Sequence, residues 1–132
     1  MAEEHRLLLP ESDREFLDEK YPDFDVLPSG KELHLLLPQF QFPVAYSPQV
    51  ADLLIIIPGG YPNAALDMFW TNPSVMLANG GWPERCTHHE TFHGRSWQRW
   101  SRHFHQDKPW RPGIDSLRSF LTTVRHEIAK GI

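Results

Sequence analysis

With 132 residues, 40% of them hydrophobic and 23% charged, the chain has the size and make-up of one soluble globular domain, and residues 1–132 are expected to form a single domain. A formal net charge of −4 argues against a general nucleic-acid binder, which carries a basic excess. One cysteine excludes an internal disulfide framework, the N-terminus lacks a basic segment followed by an apolar one, and the longest apolar run, LLIIIP, is too short to span a bilayer; the expected location is the cytoplasm, with no membrane partner.

PESDREFLDEKYP, residues 10–22, predicts a short helix. Ser12 or Asp13 is placed to cap it, Glu15 completes a capping box, Phe16 and Leu17 give an apolar side, and Pro22 ends it. DFDVLPSGKELHLLLPQF predicts a hairpin, with DFDVL and ELHLLL as strands and PSG as the turn. FPVAYSPQ, punctuated by prolines, reads as an edge or a loop. VADLLIIIP, residues 50–58, is the clearest strand, and its β-branched run predicts burial on both faces. GGYPNAALDMFWTNP opens on a Gly-Gly turn and is expected to hold one more strand around Leu66 to Trp70. From 74 to 112 no period holds, and the stretch reads as one long irregular region. The last segment predicts an amphipathic helix with Leu117, Phe120, Leu121, Val124 and Ile128 on one stripe, Asp115 near its start and Gly131 at its end. Helix, consecutive strands, irregular region, helix: this order predicts an α+β fold with an antiparallel meander.

The residues that carry chemistry cluster late in the chain. Residues 85–111 hold six Arg or Lys, a basic and aromatic stretch suited to an acidic partner or to phosphates. In GGWPERCTHHETFHGR the only cysteine, Cys86, follows Arg85 and precedes His88, His89 and His93. Neighbouring cations favour a thiolate, and the polar, glycine-containing surroundings predict exposure; a nucleophile is one reading, and a small buried hydrophobe is the other. A metal centre is a third, because His103 and His105 bring further imidazoles within twenty residues of Cys86. The single thiol fits no structural zinc pattern, and HHETFH is not the helical H-E-x-x-H, since Glu90 follows both histidines. In GRSWQRWSRH, Trp97 and Trp100 fall at i and i+3 among Arg95, Arg99 and Arg102. They read either as anchors that hold a loop to the body or as a docking surface for a protein partner. No Gly-rich phosphate loop is present, PGG at 58–60 being a turn.

Tyr61-Pro62, Trp70-Thr71, Cys86 and Trp110-Arg111-Pro112 follow one another at spacings that resemble the ubiquitin-conjugating enzyme superfamily. More closely, YPNAALDMFW, GRSWQRWSRH and WRPGIDSL are similar to a bacterial branch, the prokaryotic ubiquitin-conjugating enzyme family E, over roughly residues 10–128. The resemblance implies a UBC-like α+β fold: an N-terminal helix, a four-stranded antiparallel meander, a long active-site loop and a C-terminal helix. It implies that Cys86 receives a ubiquitin-like protein from an activating enzyme by transthiolation and passes it to an acceptor, without metal or cofactor. A deconjugating peptidase belongs to such bacterial systems, and antiphage defence is one setting for them. The chain departs from the superfamily in lacking the His-Pro-Asn that precedes the cysteine, whose asparagine stabilises an oxyanion. Asn79, His88 and His89 are the candidates to replace it. NAAL stands in place of the usual prolines after Tyr-Pro, and residues 95–109 read as an insertion beside the active site. The competing class is a non-catalytic module that binds a ubiquitin-like protein, for which a buried Cys86 would speak; a metal-dependent hydrolase built on the histidines comes last.

Overall fold

ELHLLLPQFQ, rich in Leu, and VADLLIII, rich in Leu and Ile, form the two longest strands and lie side by side at the heart of one sheet. The computed structural model describes residues 2–83, 85–101 and 109–130. In chain order its elements are α1 (Ala2–Arg6), α2 (Glu11–Lys20), β1 (Asp25–Ser29), β2 (Glu32–Gln41), β3 (Tyr46–Ser47), β4 (Val50–Ile57), β5 (Phe69–Asn72), β6 (Met76–Leu77), β7 (His89–Phe92), β8 (Arg95–Trp100) and α3 (Leu117–Lys130). Every pairing is antiparallel, as the α+β reading expects. The main sheet runs β1-β2-β4-β5-β8-β7, and β3 and β6 form a small second one.

The predicted hairpin is present, with Gly30 at φ 62° in its turn between Ser29 and Glu32. A four-stranded meander was expected, and β1, β2, β4 and β5 supply it, but β8 and β7 extend the sheet to six strands. The irregular region therefore holds a hairpin that the composition conceals. β7 is a half-exposed edge strand without apolar alternation, and β8 buries a glutamine as well as two tryptophans. Residues 95–100 of the expected insertion are a sheet strand between β5 and β7. The remainder of that expected insertion, through residue 108, lies outside the described residues except for Ser101.

Side-chain alternation gives the sheet two unequal faces. On the inner face Leu35, Leu37, Leu53, Ile55, Phe69 and Trp100 join one large core with α2 and α3. The predicted stripe of α3, Leu117, Phe120, Leu121, Val124 and Ile128, is buried in full. The predicted cap of α2 does not form: Pro10 is the N-cap, with no side-chain hydrogen bond to the helix end. Asp13 lies on the same helical face as Phe16 and Leu17 and is drawn inward with them.

The outer face carries a smaller cluster of Leu54, Trp70 and Trp97, flanked by Leu36, Ile56 and Phe92. At its rim His34, 3% exposed, hydrogen-bonds through Nδ1 to Nε2 of His93 at 2.8 Å, which ties β2 to the β7–β8 turn. Burial, and then the nearby His93, push the His34 pKa below its ordinary 6.5, while Glu32 opposes the shift. The folded state thus binds this proton less readily than the unfolded chain does. Stability contributed by neutral His34 is present above pH 6.5 and is lost as the pH falls below it. Urea unfolding between pH 7.5 and 5 should show that decline in the wild type and a shallower one in His34→Phe; parallel slopes would refute it.

Candidate functional site

The stretch from Ser74 to Ser101 assembles around Gln98. This side chain is fully buried, and Thr71 lies opposite it on β5 and His89 on β7. Its Oε1 accepts hydrogen bonds from Thr71 Oγ1 and from the Val75 amide, each at 2.7 Å. Its Nε2 donates to the carbonyls of Val75 at 3.0 Å and of Cys86 at 3.2 Å. Thr71 Oγ1 in turn accepts from the Trp100 indole at 3.0 Å. A buried carboxamide with two acceptor and two donor contacts is a satisfied polar centre, and it fixes two loop segments at once. The sequence reading missed Gln98, although the WQRW stretch was singled out; its signal was a polar residue between two tryptophans on a strand.

Cys86 is fully buried and belongs to the main core, contrary to the expected exposure. Polar neighbours in sequence did not become neighbours in space, because the chain around the thiol is bound to the end of β8. The Ser101 amide donates to the Arg85 carbonyl at 3.2 Å, and the Arg99 amide to the His88 carbonyl at 2.8 Å. Two steps along β8 therefore match three on the cysteine side, which is the count of a β-bulge. Arg85, at φ 58°, takes the left-handed conformation there.

The three candidate oxyanion residues separate by environment. Asn79 is exposed; its Oδ1 accepts from the Gly81 amide at 2.9 Å, and its Nδ2 makes no hydrogen bond among the described residues. His88 turns Nε2 towards Glu90 Oε1 at 3.4 Å, and the same carboxylate oxygen takes Arg99 at 2.9 Å. His89 has both ring nitrogens engaged: Nδ1 faces the Thr87 carbonyl at 3.3 Å and Nε2 faces Ser74 Oγ at 2.7 Å. Nδ1 donates to that carbonyl, and Nε2 shares a hydrogen bond with the serine hydroxyl. His93 belongs to the His34 pair at the far end of the hairpin. Among the described residues no three His, Cys, Asp or Glu side chains gather as metal ligands do; His103 and His105 lie outside them.

Trp97 and Trp100 lie on a strand, so their spacing of three sends them to opposite faces. Trp100 enters the main core, and Trp97 the outer cluster, where Arg95 stacks on it at 4.7 Å. Arg95 also reaches Asp52 at 2.9 Å and Asn72 at 2.6 Å. These aromatic side chains anchor the hairpin to the sheet. Arg102 lies outside the described residues.

The Tyr-Pro and Trp-x-Pro elements meet. Trp110 Nε1 donates to the Pro62 carbonyl at 2.9 Å, and the Tyr61 and Trp110 rings stand 6.2 Å apart. Tyr61 donates its hydroxyl to Asp13 at 2.6 Å and accepts the Leu117 amide at 2.9 Å, at the start of α3. Burial raises the Asp13 pKa despite this bond, and burial together with Asp13 raises that of Tyr61. Beside them Arg111 hydrogen-bonds Asp115 and holds its carboxyl below the usual range.

The family model described as Prokaryotic E2 family E matches residues 9–131, a span that takes in the sheet, the thiol and both helices that flank them. The chain belongs to the prokaryotic E2 family E. No curated protein and no solved structure matches it. For a family E member, an antiparallel sheet with a C-terminal helix is a compatible architecture, and a role related to ubiquitin-like conjugation follows from membership. Among the described residues no helix is long and apolar enough to cross a membrane.

Proposed function

We propose that this family E protein carries a ubiquitin-like protein as a thioester on Cys86, within a bacterial conjugation system of the cytoplasm. The observation that carries the reading is the family match across the whole stretch that holds the chain's only thiol. The Cys86 sulfur attacks the carbonyl of the thioester on the activating enzyme, a new thioester forms, and the activating enzyme's thiol leaves. In the second step an amine or hydroxyl acceptor attacks that carbonyl and the Cys86 thiol departs. Of the three candidates, Asn79 has an uncommitted amide donor for the oxyanion, and His88, half-exposed with Glu90 behind it, is suited to take the acceptor's proton. His89, held by Ser74 and Thr87, supports the loop instead. The partners are an activating enzyme, a ubiquitin-like protein and a deconjugating peptidase that reverses the product.

The burial of Cys86 favours a second reading, a non-catalytic module that only binds the ubiquitin-like protein. Under the first reading the thiol has to turn outward before it meets a protein-borne thioester. The two separate in one experiment: incubation with the activating enzyme, ATP and the ubiquitin-like protein, followed by a non-reducing gel. The carrier gives a thiol-sensitive adduct that Cys86→Ala abolishes and Cys86→Ser replaces with a thiol-resistant ester. An adduct that survives Cys86→Ala refutes the carrier. Wild-type protein that binds the ubiquitin-like protein without forming an adduct establishes the module.

A further inference from the structure

We propose that the groove between α2 and α3 docks an acidic segment of a protein partner, which Arg118, Arg125 and Lys20 hold through its carboxylates. The site stands on the fold alone and is independent of the chemistry of Cys86.

The cations of this chain are committed unequally. In the stretch marked as basic by its sequence, Arg95 reaches Asp52, Arg99 reaches Glu90 and Arg111 reaches Asp115. Each of those carboxylates already offsets the charge that an acidic partner would meet. Arg118 and Arg125 differ: both are exposed, and neither meets a carboxylate among the described residues. Lys20 stands 3.7 Å from Glu19 beside it, a long contact between two exposed side chains. All three cations line one groove of about 300 Å³.

The two guanidiniums are fixed in place by aromatic rings. Arg118 lies over Phe16 at 4.6 Å, and Arg125 lies over Phe40 at 4.7 Å and over Tyr21 at 5.6 Å. Tyr21 and Phe40 stack on each other, and Arg125 Nε donates to the Tyr21 hydroxyl at 3.1 Å. The Arg118 side chain makes no hydrogen bond among the described residues. Stacking engages the flat face of a guanidinium and leaves N–H donors at its edge. An arginine held in this way loses less entropy when it takes a carboxylate.

Spacing selects the ligand. Arg125 follows Arg118 by two turns of α3, about 10 Å along the helix. One phosphate or one carboxylate cannot reach both forks. A chain of carboxylates can, since three extended residues also cover about 10 Å. The surroundings favour a peptide over a nucleic acid. Lys20 and Arg125 continue into a second groove bordered by Asp23, Glu19 adjoins Lys20, and the whole chain carries −4. An unbroken phosphate backbone is repelled by those acids, whereas a peptide can set a neutral or basic residue opposite them.

Fluorescence anisotropy with fluorescein-labelled hexaglutamate at low ionic strength tests the site on the intact protein. The wild type should bind it, with an affinity that falls as salt is added. Arg118→Gln/Arg125→Gln should bind about tenfold more weakly, the worth of two exposed ion pairs. Lys31→Gln, which removes an exposed cation elsewhere, should bind as the wild type does. No binding by the wild type, or equal binding by the double variant, refutes the site. Should the double variant fail to fold, arginine modification of the wild type by phenylglyoxal decides. Hexaglutamate should slow the reaction of Arg118 and Arg125 and leave that of the exposed Arg85 unchanged; equal rates with and without the peptide refute the site. Competition fixes the class of ligand. Inorganic phosphate that displaces hexaglutamate at equal concentration makes this a single-anion site, and oligothymidylate that binds more tightly makes it a nucleic-acid site; either result overturns the proposal.

Discussion

Replacing Trp100 by alanine is expected to lower the unfolding free energy by about 3–5 kcal/mol. The side chain is fully buried and sits where several elements meet. It stacks on Phe69 with ring centroids 5.1 Å apart and planes at 20°, and Phe42 and Tyr46 stand at 5.9 and 6.0 Å. Truncation leaves a cavity among three other aromatic rings, none of which can collapse into it without leaving its own partners. It also removes the indole donor from Thr71, the hydroxyl that orients Gln98. Trp100→Phe keeps most of the ring contact and should recover more than half of the loss. Urea denaturation measures both; a loss of less than about 1.5 kcal/mol for alanine would show that the core repacks around the gap.

Tyr61→Phe should cost about 1–3 kcal/mol, although it removes a single oxygen atom. That oxygen serves two buried or half-buried partners, the Asp13 carboxylate on α2 and the Leu117 amide on α3. Without it a carboxyl that burial already disfavours in its charged form loses its neighbouring donor. The first amide of α3 loses the phenolic oxygen as an acceptor as well. The ring and its contact with Trp110 persist, so the cost isolates the hydroxyl. Asp13→Asn should be milder, because an amide oxygen can still accept from Tyr61 without burying a charge. Equal thermal midpoints for wild type and Tyr61→Phe would refute the argument.

The apolar pattern was legible wherever one period governed a whole element. The stripe of α3 and the doubly buried β4 are read directly from residue spacing, because each packs on a large, continuous core. The same reading failed at β7 and β8 for a physical reason. A strand that carries Trp97 on one face and Trp100 on the other, with a buried glutamine and a paired arginine between them, offers neither alternation nor a helical stripe. Asp13 was misread as a cap because capping chemistry is local, whereas its partner Tyr61 stands 48 residues away. Tyr61-Pro62 and Trp110 were each marked by the resemblance, but the contact between them, 48 residues apart, was not foreseen. The burial of Cys86 was one of two readings its residues allowed, and the choice between them depends on β8, whose existence the composition hid.

The dependence of the thiol on β8 also sets a sequence of events in biosynthesis. Cys86 leaves the ribosome before Gln98, twelve residues behind it. Gln98 can take up its position only once β8 has added to β5 and brought the carboxamide to Thr71. Proteins are made at about 5–20 residues per second, so the nascent chain displays an unshielded thiol for on the order of a second or longer. During that interval it is open to oxidation and to mixed disulfides with small thiols, and a cysteine blocked then could not be closed into the core afterwards. Fragments that end before residue 98 would keep that vulnerability permanently.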